Sequence, residues 1–183
     1  MSSDGHDADR RRRFDSLFEA YSADIVAYCT WRAASRSDAQ DATAEVFFTA
    51  WRRLDDVPDG DPARVWLYAT ARRVIANQRR ANRRRAALQE RLTLEVPSAS
   101  TSSDRKETFV REALLALPPR DREVLLLAEW EGLSAAEIAR VMGCLTVTAR
   151  GRLHRARRRF RAEYDALQGR TTQVSQRRIY EHV

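Results

Sequence analysis

Ser134-Ala-Ala-Glu-Ile-Ala-Arg-Val-Met-Gly-Cys-Leu-Thr-Val-Thr-Ala-Arg-Gly-Arg-Leu-His-Arg-Ala-Arg-Arg-Arg-Phe160 is the stretch that decides the fold. It reads as two helices around a tight turn. Ser134 and Glu137 have the spacing of a capping box, which opens the first helix. Ala139 is small where the two helices must cross, and Gly143, four residues on, can supply the positive φ of the turn. The second helix starts near Thr146 and buries Ala149, Leu153, Ala156 and Phe160, spaced four, three and four. Its other face shows Arg150, Gly151, His154, Arg155 and Arg158. This is a helix-turn-helix pattern. Its second helix can enter a major groove, the first two turns, from Thr146, facing base edges and the later arginines meeting phosphates. The bland alternative is a solvated amphipathic helix. Residues 146–161 hold seven arginines and no acid, whereas solvated helices usually mix signs. His154 is either DNA-facing or an ordinary surface histidine.

Working outward, charge alternates along the chain. Residues 14–63 carry ten acids against four arginines, and residues 64–91 nine arginines against one acid. Residues 108–145 carry six acids against four arginines, and the all-basic block follows. A merely basic protein would spread its charge. The alternation implies two modules, each pairing an acidic surface for a protein with a basic helix for nucleic acid. The net charge of +7 is almost wholly arginine, Lys106 being the sole lysine. Cys29 and Cys144 have no CxxC or Cys/His neighbours. A disulfide or zinc framework is therefore not expected, and a reducing cytoplasm fits. No run reaches the roughly 18 apolar residues of a membrane span. No membrane insertion, metal or cofactor is expected.

Periodicity is helical throughout, without an alternating run long enough for a sheet. The expected fold class is all-α: two small helical domains joined by a flexible linker, the second with the helix-turn-helix. Residues 1–11 are expected to lack structure. A first helix covers about 12–33, with Phe14, Leu17, Phe18, Tyr21, Ile25 and Tyr28 at helical spacing. Ser37-Asp-Ala-Gln40 reads as a capping box for a second helix. Asp55–Asp61, with Pro58 and Gly60, reads as a loop. Asp61-Pro62 reads as an N-cap followed by proline, opening a third helix to about Arg91. Residues 92–107 form a linker around the Pro97–Ser103 run, and Asp104-x-x-Glu107 reads as the next cap. The second module spans 108–167, broken once at Pro118-Pro119, and a polar tail, 168–183, is expected to lack structure.

The first module carries two candidate faces. Asp38, Asp41 and Glu45 share a face of the second helix. With no nucleophile, histidine or metal-ligand partner nearby, they read as solvated acids or a docking surface rather than a catalytic site. Trp66, Thr70, Arg73, Asn77 and Arg80 share a face of the third helix. Arginine binds backbone, asparagine can read an adenine edge, and an aromatic can stack on an unpaired base. That mixture suits melted DNA better than a plain duplex. Trp66 keeps a second reading, as a core tryptophan. Arg72, Arg79, Arg83, Arg84 and Arg85 read as phosphate contacts.

Taken together, the chain resembles a sigma factor of bacterial RNA polymerase, of the small extracytoplasmic-function class. Asp38–Phe47 resembles the family's core-polymerase-binding helix. Arg64–Asn77 resembles the segment that melts and reads the −10 element. Leu117–Leu127, Gly132–Ala139 and Arg152–Arg157 resemble the domain that reads the −35 element. The resemblance covers about residues 12–165. With a short linker and no further domain between or before the modules, it points to the small class. It implies a subunit without catalytic activity of its own. Asp38, Asp41 and Glu45 would dock on core polymerase, chiefly its β′ subunit and with β also in contact. Trp66, Arg73, Asn77 and Arg80 would face −10 DNA. Thr146, Arg150, Gly151, His154, Arg155 and Arg158 would face −35 DNA. The loop Asp55–Asp61 would correspond to the −10 specificity loop and pocket a flipped base. An anti-sigma protein is implied as a further partner. Departures from the family's usual residues stand at Arg73, Ala44, Ala149 and Gly151. A stand-alone duplex-binding regulator is the rival reading. It would have no use for the acidic second helix, or for Trp66 and Asn77.

Overall fold

In the computed structural model, residues 3–89 and 105–180 are described, with side chains over 5–84 and 108–169. The linker run and the Asp104-x-x-Glu107 cap lie outside the described residues. The described backbone forms seven α-helices and one 3-10 turn, with no strand among them. They divide into two compact units, one built on α1–α3 and the other on α4, α5, α7 and most of α6.

In the first unit α1 (Ser3–Arg32), α2 (Arg36–Arg52) and α3 (Asp61–Gln89) all touch one another. Leu17, Ile25 and Tyr28 of α1, Ala42, Val46 and Phe47 of α2, and Leu67, Tyr68 and Ala71 of α3 are buried. Aromatic rings lock α1 to α2. Phe18 lies edge-on to Phe47 at 4.8 Å, and Phe14 edge-on to Trp51 at 5.3 Å. Tilted contacts of this kind add to plain area burial.

The helix starts follow local chemistry. The N-cap of α2 is Ser35, not Ser37. Its hydroxyl accepts from the Asp38 N–H at 3.0 Å and donates to the Asp38 carboxylate at 3.0 Å. Two serines two residues apart compete for this role. The one with an acid three residues later wins, because that carboxylate both bonds the cap and favours the positive end of the helix dipole. Between α2 and α3, Leu54–Asp56 make a 3-10 turn inside the expected loop. Gly60, at φ +67°, turns the chain into α3, which begins at Asp61 with Pro62 in its first turn.

Two expectations about the ends fail. The N-terminus is helical from Ser3, and so is not the structureless segment expected over 1–11. The reason is tertiary: Arg10 and Arg13 bond the segment that follows α2. At the other end α7 runs to Tyr180, well past Leu167. Gly169 alone costs only about 1 kcal/mol, and no proline follows to stop the helix.

In the second unit α4 (Arg105–Ala116) ends before Pro118-Pro119, and Pro119 opens α5 (Pro119–Glu129). Helix α6 spans Ala135–Met142 and α7 spans Thr146–Tyr180. Helix α7 packs on both α4 and α5. Leu114, Leu117, Leu125, Leu126 and Ala156 make the shared core, with Val110, Leu153 and Phe160 packed against it.

Candidate polymerase and nucleic-acid interfaces

The helix-turn-helix forms as its sequence dictates. The Ser134 hydroxyl accepts from the Glu137 N–H at 3.3 Å, and the Glu137 carboxylate accepts from the Ser134 N–H at 2.8 Å. Gly143, at φ +63°, ends α6. The Cys144 N–H then reaches the Ala139 carbonyl at 2.9 Å, the closing bond of a Schellman turn. Ala139 is buried at the crossing. Ala149 and Ala156 fix the inward side of α7.

The opposite side of α7 presents Arg150, His154, Arg155 and Arg158, all exposed, with Gly151 and Thr146 half-buried between and before them. Two neighbouring arginines are spoken for. Arg157 pairs with Glu129 at 2.8 Å, and Arg159 pairs with Asp121, whose side chain is only 10% exposed. Arg159 is one of the later arginines that the sequence reading sends to phosphate, but it instead ties α7 to α5. Pairing sorts the seven arginines into structural and outward sets that composition cannot separate. Val147 opens the outward stripe and is 71% exposed, an apolar group in a basic face that sequence reasoning passed over.

In the first unit, Asp41 and Glu45 are exposed on α2. Asp38 is half-buried and engaged in the helix cap, and its carbonyl accepts from Gln78 of α3 at 3.3 Å. The acidic face is therefore chiefly Asp41 and Glu45. On α3, Arg73, Asn77 and Arg80 are exposed, and Arg80 bonds the Asn77 side-chain oxygen. Thr70 is buried and Trp66 half-buried, so this face narrows toward its N-terminal end. Arg79, expected at phosphate, donates instead to the Arg32 carbonyl at 2.6 Å, satisfying the end of α1.

Sequence reasoning treats the acidic and the strand-reading faces as separate. The structure joins them. An open groove of about 510 Å³ between α2 and α3 has Asp41 and Glu45 on one wall and Arg73 and Asn77 on the other. A second hollow, of about 330 Å³, lies between α1 and the segment after α2, lined by Arg13, Leu17, Tyr21, Val57, Pro58 and Gly60 among others. Among the described residues no group of three His, Cys, Asp or Glu is placed to hold a metal ion, and no helix is long and apolar enough to cross a membrane.

Known proteins share this arrangement. Residues 17–85 match the Sigma-70 region 2 family, and residues 110–160 match the Sigma-70, region 4 family. The chain is 30% identical over 164 residues to the RNA polymerase sigma-H factor of Pseudomonas aeruginosa, covering 80% of this chain and 83% of that one. It is 28% identical over 151 residues to the ECF RNA polymerase sigma factor SigL of Mycobacterium tuberculosis, covering 80% and 85%. Among solved structures, the fold is similar to the sigma factor RpoE of Bartonella quintana, determined with the anti-sigma factor NepR. The TM-score is 0.69 at 22% identity, over 83% of this chain and 96% of that one. It is also similar to CnrH, determined with the cytosolic domain of CnrY, at a TM-score of 0.60 and 25% identity over 85% and 90%. The chain belongs to the sigma-70 family of RNA polymerase sigma factors, in the extracytoplasmic-function class, and directs RNA polymerase to promoters.

Proposed function

We propose that the two units divide promoter recognition between them. Residues 12–91 bind core polymerase and the −10 strand, residues 108–167 bind the −35 duplex, and 92–107 link them. The polymerase supplies the chemistry, and this chain adds no catalysis and no cofactor. Its place of work is the cytoplasm. Asp41 and Glu45 dock on the β′ subunit, with Asp38 holding the start of their helix, and β takes further contacts. Arg73, Asn77 and Arg80 face the unpaired −10 strand, and Trp66 flanks it. The hollow beside residues 54–60 receives a flipped base.

The observation that supports this most is the α2–α3 groove. Acids on one wall suit a basic protein surface, while arginine and asparagine on the other suit a DNA strand. One groove can thus hold the strand where the polymerase is held. Thr146, Arg150, Gly151, His154, Arg155 and Arg158 of α7 face the −35 major groove in this reading, and the exposure of the three arginines and His154 supports it. RpoE was determined with the anti-sigma factor NepR, and an anti-sigma partner for this chain is proposed by analogy.

Charge reversal tests the docking. Asp41→Arg with Glu45→Arg, both exposed, leaves the helical fold intact and abolishes co-purification with core polymerase. A reversed protein that still forms holoenzyme with unchanged affinity would refute the assignment.

A further inference from the structure

The N-terminal turns of α1 grip the segment that joins α2 to α3. Arg13 uses all three guanidinium nitrogens. Nη1 donates to the Leu54 carbonyl at 3.0 Å, Nη2 to the Val57 carbonyl at 2.5 Å, and Nε to the Asp59 carboxylate at 3.1 Å. Arg10, one turn earlier, donates through Nη1 to both Asp55 oxygens at 3.0 Å and through Nη2 to the Trp51 carbonyl at 3.2 Å. Arg10 also lies 5.7 Å from the centre of the Trp51 ring.

The energetic emphasis falls on the carbonyls. Asp55 and Asp59 are 77% and 90% exposed, so their ion pairs are weak, whereas Arg10 and Arg13 are only 23% and 37% exposed. The carbonyls of Trp51, Leu54 and Val57 sit where a helix ends and a 3-10 turn begins and ends, so a planar fork fixes the path of the chain there. Arg13 itself forms part of the wall of the hollow that this segment borders.

The pairing also changes the charge of the segment. Four carboxylates crowd residues 55–61, a poor surface for a phosphate strand to approach. Arg10 neutralises Asp55, Arg53 neutralises Asp56 at 2.8 Å, and Arg13 neutralises Asp59 at 2.8 Å. Asp61 is left at the start of α3, where the helix dipole favours it.

We infer that Arg13, backed by Arg10, is the positioning residue of the −10 pocket: the pair holds residues 54–60 in the conformation that keeps the hollow open and masks the segment's charge. Base selection at that pocket therefore depends on the N-terminal turns of α1. The inference rests on the reading of the hollow as the flipped-base site.

The test uses the full chain in holoenzyme and a pre-melted bubble template whose −10 non-template strand is randomised. Bound DNA is sequenced to give base preference at each position. Ala20 also lines the hollow; Ala20→Phe fills it and leaves both arginines in place, so it abolishes preference at one −10 position. Arg13→Ala and Arg13→Lys lower preference at that same position about tenfold, the worth of one good base contact, because lysine keeps the charge but not the fork. Preferences elsewhere and polymerase association stay unchanged, and amide exchange over 54–60 quickens. If Ala20→Phe changes the profile while folded Arg13→Ala does not, the positioning role is overturned and the pocket stands. If neither changes it, the pocket reading falls and the inference with it. An equal loss at every position in Arg13→Lys would reduce the pair to general support of the fold, which also overturns the inference.

Discussion

At Gly151 a Cβ would meet only the Arg155 guanidinium, at an ordinary 3.5 Å. Nothing steric demands glycine there, and inside a helix it costs up to about 1 kcal/mol relative to alanine. Gly151→Ala should stabilise the second unit by up to about 1 kcal/mol, read as a raised melting point. An unchanged or lowered melting point would show that the glycine has a folded-state role not visible in the packing. Cys29 behaves oppositely to an exposed thiol. Burial pushes its pKa up, while the Thr43 hydroxyl and the Arg32 charge pull it down. The folded state holds the proton more tightly than the unfolded chain does. Stability therefore falls as pH rises above the ordinary thiol value of 9.0. Urea midpoints across that range should slope downward in the parent and flatten in Cys29→Ala. The sequence shows Cys29 as a small buried hydrophobe. It does not show the hydroxyl beside it, since Thr43 belongs to another helix.

On α7 the arginines fall into two mechanical classes, and substitution should separate them. Arg150→Ala and Arg155→Ala should each cost about 1–3 kcal/mol of binding and relax preference at one base pair, if each forks onto a base edge. Arg158→Ala should weaken all sequences alike and reduce the salt slope by about one unit. Arg159→Ala should instead destabilise the fold by about 1–3 kcal/mol, because it strips the partner from a nearly buried Asp121. Binding to a panel of single-base −35 variants at two salt concentrations, together with thermal melts, checks all four. A folded Arg159→Ala with full stability and weaker DNA binding would reverse its assignment. The helix itself is legible from Ala149, Leu153, Ala156 and Phe160, since a period of about 3.6 is local information. Which arginine pairs across to α5 is not, because Asp121 lies far away in sequence.

Across the whole molecule, the alternation of charge predicts a division of labour. Asn77→Ala and Arg80→Ala belong to the first unit and share one hydrogen bond, so their effects should not add. Both should depress binding to a pre-melted bubble more than binding to the same promoter as closed duplex. Arg150→Ala should do the reverse. Equal losses on both templates for Asn77→Ala would count against a role in strand capture. The +7 net charge makes every such affinity salt-dependent, so the comparison holds only at matched ionic strength.

By itself, the sequence determined that the chain is helical, that a helix-turn-helix lies at 134–160, and that acidic and arginine-rich stretches alternate. These follow from period, caps, turn glycines and residue type, all of which act over a few neighbours. It did not determine the ends. The Arg10–Arg13 run gives no apolar period, so the helical N-terminus was invisible until Asp55, Asp59 and three carbonyls were brought beside it. Nor could it show that Asp41 and Glu45 face Arg73 and Asn77 across one groove. That depends on how α2 packs against α3, which buried Val46, Phe47, Leu67 and Ala71 decide together. Local chemistry sets each helix and its faces. Which faces meet is decided only when the apolar sides are withdrawn from water at once.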